Sequence, residues 1–315
     1  MKFIREIDFL FGIINRKITN IVIYTTNRCN SKCKTCNIWD IKPKIDIDPN
    51  IIDDLLKNLN KKITFTITGG EFLLHPKYKE ILQKFDGYKC ILLSNGILAD
   101  RLIDVVREFK VKEIGVSCDG VGKKYEEIRG VDNFHNIQRI VQELKNETKI
   151  VLNYTISPFN TKKDLIEVIN FCNIEKVNLI IGVYNRPEYF STKVNFAKAY
   201  CLSDVKINSG VLIYPKFFVN MYIHLYNKWL KGEYKIPCLN IRSHAVIYPN
   251  GNVCLCEGKQ VALGNLNKSS FSEIWGSERT IKIQQDNRGC NNCFMICQRP
   301  ADVILNSVKI DKLIK

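Results

Sequence analysis

From residue 20 to about 200, short runs of apolar, mostly β-branched residues alternate with longer stretches whose apolar positions recur every three to four residues. The short runs read as strands at 21–25, 63–68, 90–94, 113–117, 149–156 and 177–183. The longer stretches read as amphipathic helices at 50–59, 77–85, 100–109, 136–145 and 162–172. Strand–helix alternation over six units predicts a parallel sheet covered by helices. Six units are too few for a closed eight-stranded barrel, so the expected fold is α/β, a partial (β/α)6 TIM-like barrel. In such sheets the chemistry sits at the C-terminal strand ends.

Residues 184–214 read as irregular, and a helix over 217–230 stops near Gly232. The texture then changes. Strand-like residues 245–248, a Pro249–Asn250–Gly251 turn and residues 253–256 read as a β-hairpin, followed by short helical pieces at 271–275 and 279–285. The expected regions are a helical extension (1–19), the barrel core (20–200), a linker and helix (201–237), a small C-terminal hairpin and helix domain (238–300) and a tail (301–315). The apolar stretch 7–14 is too short to span a bilayer and lacks a small-residue cleavage site, so it reads as an amphipathic helix. No apolar run reaches the roughly 18 residues of a membrane span. The expectation is a cytoplasmic protein.

Thirteen cysteines change the picture. Cys29, Cys33 and Cys36 form one group, and Cys238, Cys254, Cys256, Cys290, Cys293 and Cys297 a second. Cys90, Cys118, Cys172 and Cys201 stand alone and read as core thiols. Clustered thiols in a chain that is neither small nor visibly secreted point to metal. The first group has the spacing C-x3-C-x2-C, directly after strand one. Three thiolates leave one iron of a 4Fe–4S cluster open to another ligand. Zinc would need a distant fourth ligand, since the first histidine after Cys36 is His75.

The other strand ends carry matching chemistry. Strand two ends in Thr68–Gly69–Gly70–Glu71, where glycines let backbone approach a ligand and Glu71 offers a carboxylate to an ammonium group. Strand three ends in Ser94–Asn95–Gly96. Strand four ends in Ser117–Cys118–Asp119–Gly120, followed by Arg129–Gly130. A serine hydroxyl and a guanidinium together suit a carboxylate.

The cysteine loop and the Gly-Gly-Glu turn, in this place and order, resemble the radical S-adenosylmethionine (SAM) superfamily. The resemblance implies a 4Fe–4S cluster on Cys29, Cys33 and Cys36, with SAM chelating the fourth iron through its amino and carboxylate groups. It implies electron transfer that cleaves SAM to a 5′-deoxyadenosyl radical, which abstracts hydrogen from substrate. It puts Gly69, Gly70 and Glu71 on the SAM amino group, and Ser117 and Arg129 on its carboxylate. Ser94 and Asn95 join the cofactor-side candidates, and Asn153 of strand five the ribose or adenine. The residue before the third cysteine is often aromatic in the family. Here it is Thr35, a variant associated with members that carry auxiliary clusters.

The C-terminal segment resembles the SPASM and twitch auxiliary-cluster domains of the same superfamily. SPASM domains have seven cysteines, with C-x2-C-x5-C-x3-C in the second half. This chain has Cys290-x2-Cys293-x3-Cys297 without the x5 spacing. One auxiliary 4Fe–4S cluster on Cys238, Cys256, Cys290 and Cys293 is therefore expected, with Cys254 and Cys297 as spares. A zinc knuckle is the alternative.

Three reaction types fit the resemblance. One is oxidation or rearrangement of a small molecule, with the auxiliary cluster accepting an electron. The second is peptide or protein modification, as in SPASM-type maturases. The third is cyclisation in molybdopterin biosynthesis, set aside because that family ends in Gly-Gly and this chain ends Asp311–Lys312–Leu313–Ile314–Lys315. A two-cluster electron carrier is the non-enzyme reading, but a carrier has no use for a cofactor pocket. Glu257, next to Cys256, is the candidate catalytic base of an oxidation, against a solvated glutamate at a hairpin end. An electron donor such as ferredoxin or flavodoxin is implied. The net charge of +15 comes from scattered lysines, so a nucleic-acid partner is not expected.

Overall fold

The computed structural model describes residues 15–57, 59–183, 202, 216–235, 237–294, 299, 302 and 303. Cys201, Cys297, the 7–14 helix and the 301–315 tail as a unit lie outside them.

Six parallel strands form as the alternation predicts: β1 (Asn20–Tyr24), β2 (Thr64–Thr68), β3 (Lys89–Ser94), β4 (Glu113–Ser117), β5 (Lys149–Ile156) and β6 (Asn178–Val183). They lie in chain order, β6-β5-β4-β3-β2-β1. Along β2 burial alternates residue by residue: Phe65 and Ile67 are buried, while Thr64, Thr66 and Thr68 are half-buried. Ile21, Ile23, Phe65, Ile67 and Leu92 share one apolar core with Leu55 and Leu102 of the helices outside the sheet. Removing each such side chain from water contributes about 1.5–3 kcal/mol. The register leaves Thr64, Thr66, Ser117, Asn153 and Asn178 on the opposite, inner face.

Some helices start where their sequences offer caps. Asp48 accepts from Asn50 N with Pro49 opening the helix Pro49–Leu56. Thr161 and Asp164 form a capping box at the start of Lys162–Glu175. The helix Lys123–Arg129 was not among the expected elements. It is under two turns long and ends at Gly130, which takes a left-handed conformation (φ 70°).

The C-terminal hairpin does not stand apart from the barrel. β7 (His244–Ile247) lies parallel beside β1, with β8 (Asn252–Cys254) and the unexpected β9 (Ala262–Asn265) beyond it. One nine-stranded sheet results. The edge of β1, which six strands alone would leave with unpaired backbone groups, is thereby paired. No helix among the described residues is long and apolar enough to cross a membrane.

Candidate functional site

The first cysteine loop leaves the C-terminal end of β1 and packs onto the turn after β2. Gly70 N donates to Thr26 O at 2.8 Å, and Glu71 N to Arg28 O at 2.8 Å. A Cβ on Gly69 would sit 2.7 Å from Thr26 O, and one on Gly70 would collide with the Arg28 carbonyl and Cys29 Cβ. The two glycines thus let the two loops meet backbone to backbone. On its other side the loop docks on the end of helix Lys123–Arg129. Ser31 Oγ donates to Arg129 O at 2.7 Å and Lys34 N to Ile128 O at 2.9 Å, filling carbonyls the helix leaves open. A Cβ on Gly130 would lie 2.6 Å from Lys32 O, so this approach also needs a glycine.

Around this loop the predicted site residues converge. Cys33 is buried, and Cys29 and Cys36 are half-buried. Burial pushes the Cys29 thiol up to about 11 and the Cys36 thiol to about 12, each with a further upward push from Cys33. Asn95 Nδ2 donates to Asn30 Oδ1 at 2.9 Å and lies 3.8 Å from Cys29 Sγ. Glu71 is turned under the loop and 1% exposed. Its carboxylate accepts from Ser94 Oγ at 3.1 Å and Asn95 N at 2.8 Å. Burial nevertheless raises it to about 7. Glu71 and Ser94 therefore buttress the Asn95 turn.

Arg129 donates from Nη1 to Asp119 Oδ2 at 3.0 Å. Its Nε is buried and has no hydrogen-bond partner among the described residues. Burial opposes its charge, but Cys33, Asp119 and Tyr125 outweigh that effect and keep it protonated. Asp119, which the sequence reading did not single out, is held in turn by Thr155 N at 2.9 Å. Ser117 and Asn153 lie opposite each other in the β4–β5 register. A Cβ on Gly115 would sit 2.7 Å from Asn153 Nδ2, so Gly115 makes room for that side chain.

The second group gathers at the other end of β1. Cys238 N donates to Cys290 O at 3.1 Å. Cys256 and Cys293 lie near enough to Cys238 to push its thiol up, Cys293 does the same to Cys256, and burial is the largest cause of the rise of Cys256 to about 12. Cys254 instead packs with Val22, Tyr24, Val246 and Tyr248, away from Cys238. Cys118 and Cys172 are buried in the main core, and Cys90 packs against it.

Glu257 is not a solvated hairpin end. Its side chain is 12% exposed, and Oε2 lies 3.3 Å from Nε2 of His244, itself 1% exposed. Asn20 Nδ2 lies 3.2 Å from His244 Nδ1, and the two residues face each other in the β1–β7 register. With the Asn20 amide donating to Nδ1, the ring proton sits on Nε2 and points at the carboxylate. Asn20 opens β1 and the Cys29 loop follows its end, so the two sites are separated by one strand length, roughly 15 Å.

The residues fit the groups their chemistry suggests. Buried, protonated thiols exchange protons for metal, a glycine cradle holds the first three close, and the spare Arg129 donor suits a carboxylate. Among the described residues no three His, Cys, Asp or Glu side chains converge on a single ion. A 4Fe–4S cluster does not require that, because each thiolate meets a different iron. A cleft of about 160 Å³ between Ile41, Ile45 and the hairpin residues Tyr248 and Asn252 lies beside the first thiols rather than at them.

A parallel barrel with a three-cysteine loop at the end of its first strand and a second thiol group on an added hairpin defines an iron–sulfur protein built to bind a small cofactor. The radical SAM superfamily profile matches residues 23–172, and a profile described as an iron–sulfur cluster-binding domain matches residues 238–294. The chain belongs to the radical SAM superfamily and carries a SPASM-type domain, a pairing that implies SAM, one 4Fe–4S cluster and auxiliary iron–sulfur binding. Among curated relatives, the radical SAM cyclopropyl synthase TigE of Paramaledivibacter caminithermalis is 21% identical, covering 89% of this chain and 66% of that protein. A probable GTP 3′,8-cyclase of Methanocaldococcus jannaschii is 28% identical over 50% of this chain and 56% of its own length. The chain thus spans about two thirds or less of these relatives. Two solved structures share the fold. Streptococcus suis SuiB bound to S-adenosylmethionine has a TM-score of 0.64 at 16% identity, covering 84% of this chain and 66% of SuiB. Native anSMEcpe with bound AdoMet has a TM-score of 0.61 at 16% identity, covering 94% and 99%.

Proposed function

We propose that this protein is a radical SAM enzyme that abstracts hydrogen from a substrate on the inner face of the sheet and passes an electron to an auxiliary 4Fe–4S cluster. The observation that carries the reading is Arg129, a buried guanidinium beside Cys33 with a free Nε. Cys29, Cys33 and Cys36 hold the first cluster, and Arg129 with Ser117 binds the SAM carboxylate. Gly69, Gly70, Glu71, Ser94 and Asn95 shape the amino-group side, and Asn153 meets the ribose or adenine. Cys238, Cys256, Cys290 and Cys293 hold the auxiliary cluster. Bound, the first cluster and SAM supply reductive cleavage to a 5′-deoxyadenosyl radical. Glu257, held by His244, takes the proton that leaves as the substrate radical is oxidised. An electron donor of the ferredoxin or flavodoxin class and a cytoplasmic setting belong to the same reading.

For the substrate, a peptide is supported by the similarity to SuiB bound to precursor peptide SuiA, which covers 98% of this chain at a TM-score of 0.62. A small polar molecule is the second reading, supported by the hydroxyl- and amide-rich inner face of Thr64, Thr66, Ser117 and Asn153. The GTP cyclases match 50% of this chain. The test is anaerobic incubation of reduced protein with SAM. Release of 5′-deoxyadenosine is expected, and its absence from fully reconstituted protein would leave an electron carrier. Stimulation of that release by peptides or by polyhydroxylated small molecules then separates the two substrate classes.

A further inference from the structure

The largest fully buried side chain of the described protein is Arg299, and it lies beside the second cysteine group. Its Nε and Nη2 donate to the carbonyl of Cys293 at 3.1 and 2.9 Å. Its Nη1 donates to Asp302 Oδ2 at 2.9 Å, with neither side chain exposed. Asp302 Oδ1 accepts from Leu239 N at 2.8 Å, one residue after Cys238. Two loops far apart in sequence, each bearing thiols of the second group, are therefore joined through one ion pair. The direct bond Cys238 N to Cys290 O runs alongside.

A buried ion pair is a costly way to gain stability, since apolar residues of the same size often do as well. Two explanations for keeping one here can be told apart. The first is a net positive charge that compensates thiolates. It fails on charge balance: Asp302 cancels the Arg299 charge, so the pair as a whole brings none to offset a thiolate. The second is geometry. A guanidinium carries donors in a rigid fork, which fixes a carbonyl and a carboxylate at set angles in a way no apolar side chain can.

We infer that Arg299 and Asp302 form a buried clasp that holds the Cys238 and Cys290–Cys293 loops at the spacing an iron–sulfur cluster requires. The clasp acts through the backbone of Leu239 and Cys293, so both are positioning residues. The inference rests on the reading that these loops bind a cluster.

The test compares anaerobically reconstituted full-length wild type with the double variant Arg299→Met/Asp302→Leu, which removes both charges together and leaves neither unpaired. The readouts are the electron paramagnetic resonance signals of the two clusters and the rate of iron release to a ferrous chelator. The double variant should keep the first-cluster signal and its response to SAM, while the second iron complement leaves at least tenfold faster or fails to load. Release at the wild-type rate would overturn the clasp. If the double variant does not fold, Arg299→Lys decides. Lysine keeps the charge but lacks the fork, so faster release supports the clasp and unchanged release rejects it. Wild type whose iron content is the same as that of a Cys238→Ser/Cys293→Ser variant would instead remove the cluster reading on which the clasp depends.

Discussion

Nε2 of His244 sits 3.3 Å from the Glu257 carboxylate, and both side chains are withdrawn from solvent. His244 in turn lies opposite Asn20, so the contact hangs from the opening residues of two neighbouring parallel strands. The carboxylate beside Cys256 is thereby held in one orientation by a rigid element rather than by a loop. A group that must take a proton within a short-lived radical step gains from that fixed placement.

Glu257→Gln keeps the shape and can still meet His244, but it cannot accept a proton. The variant should hold both clusters and cleave SAM, while forming product at least about tenfold more slowly on the physiological substrate, the lower range for loss of a general base. Product formed at the wild-type rate would make Glu257 a purely structural partner of His244.

Gly70→Ala places a methyl group against the Arg28 carbonyl and Cys29 Cβ. Backbone cannot yield as a flexible side chain can, so the cysteine loop must move away from the β2 turn. Iron content after reconstitution should fall by about four atoms, one cluster, with the second cluster kept. Full iron content with an unchanged first-cluster signal would show that the loop tolerates the displacement.

Changing Cys29, Cys33 and Cys36 together to Ala should leave about four of an expected eight or so irons per chain. Zinc in place of the second complement would sink the auxiliary-cluster assignment. Arg129→Ala should leave iron near wild type and weaken SAM binding, read by equilibrium dialysis, because its buried Nε has no partner among the described residues while Asp119 takes Nη1. Normal SAM affinity would free Arg129 from that role.

Glu71 gives a pH signature. Its folded value is raised to about 7 from an ordinary 4.5, chiefly by burial. The folded protein thus holds this proton more tightly than the unfolded chain. The stabilisation is complete below about 4.5 and is lost as pH rises through about 7. Urea midpoints of wild type should therefore fall from about pH 5 to pH 8 more steeply than those of Glu71→Gln. Parallel slopes would mean that Glu71 ionises normally.

Much of this was legible in the chain itself. The six strands appear within a residue or so of their expected places, because period-2 and period-3.6 patterns are local properties of a segment. The C-x3-C-x2-C loop and the Gly-Gly-Glu turn were legible for the same reason, since each lies within one short stretch. Even so, sequence assigned the glycines to a ligand, whereas their first contact is the backbone of the cysteine loop.

What the tertiary structure alone decided are the pairings between distant segments. Periodicity says which face of a strand is apolar, but not which strand lies beside it or in what register. Only the placement of β7 along β1 brings His244 to Asn20 and within reach of Glu257, turning an apparently exposed glutamate into one mostly withdrawn from solvent. Only the folded chain pairs Arg129 with Asp119 and spans from Leu239 to Cys293 through Asp302 and Arg299. Some of these partners lie far apart along the chain, 224 residues for Asn20 and His244 and 63 for Leu239 and Asp302, and burial, which no local pattern reports for a lone charged side chain, is what forces each to find the other.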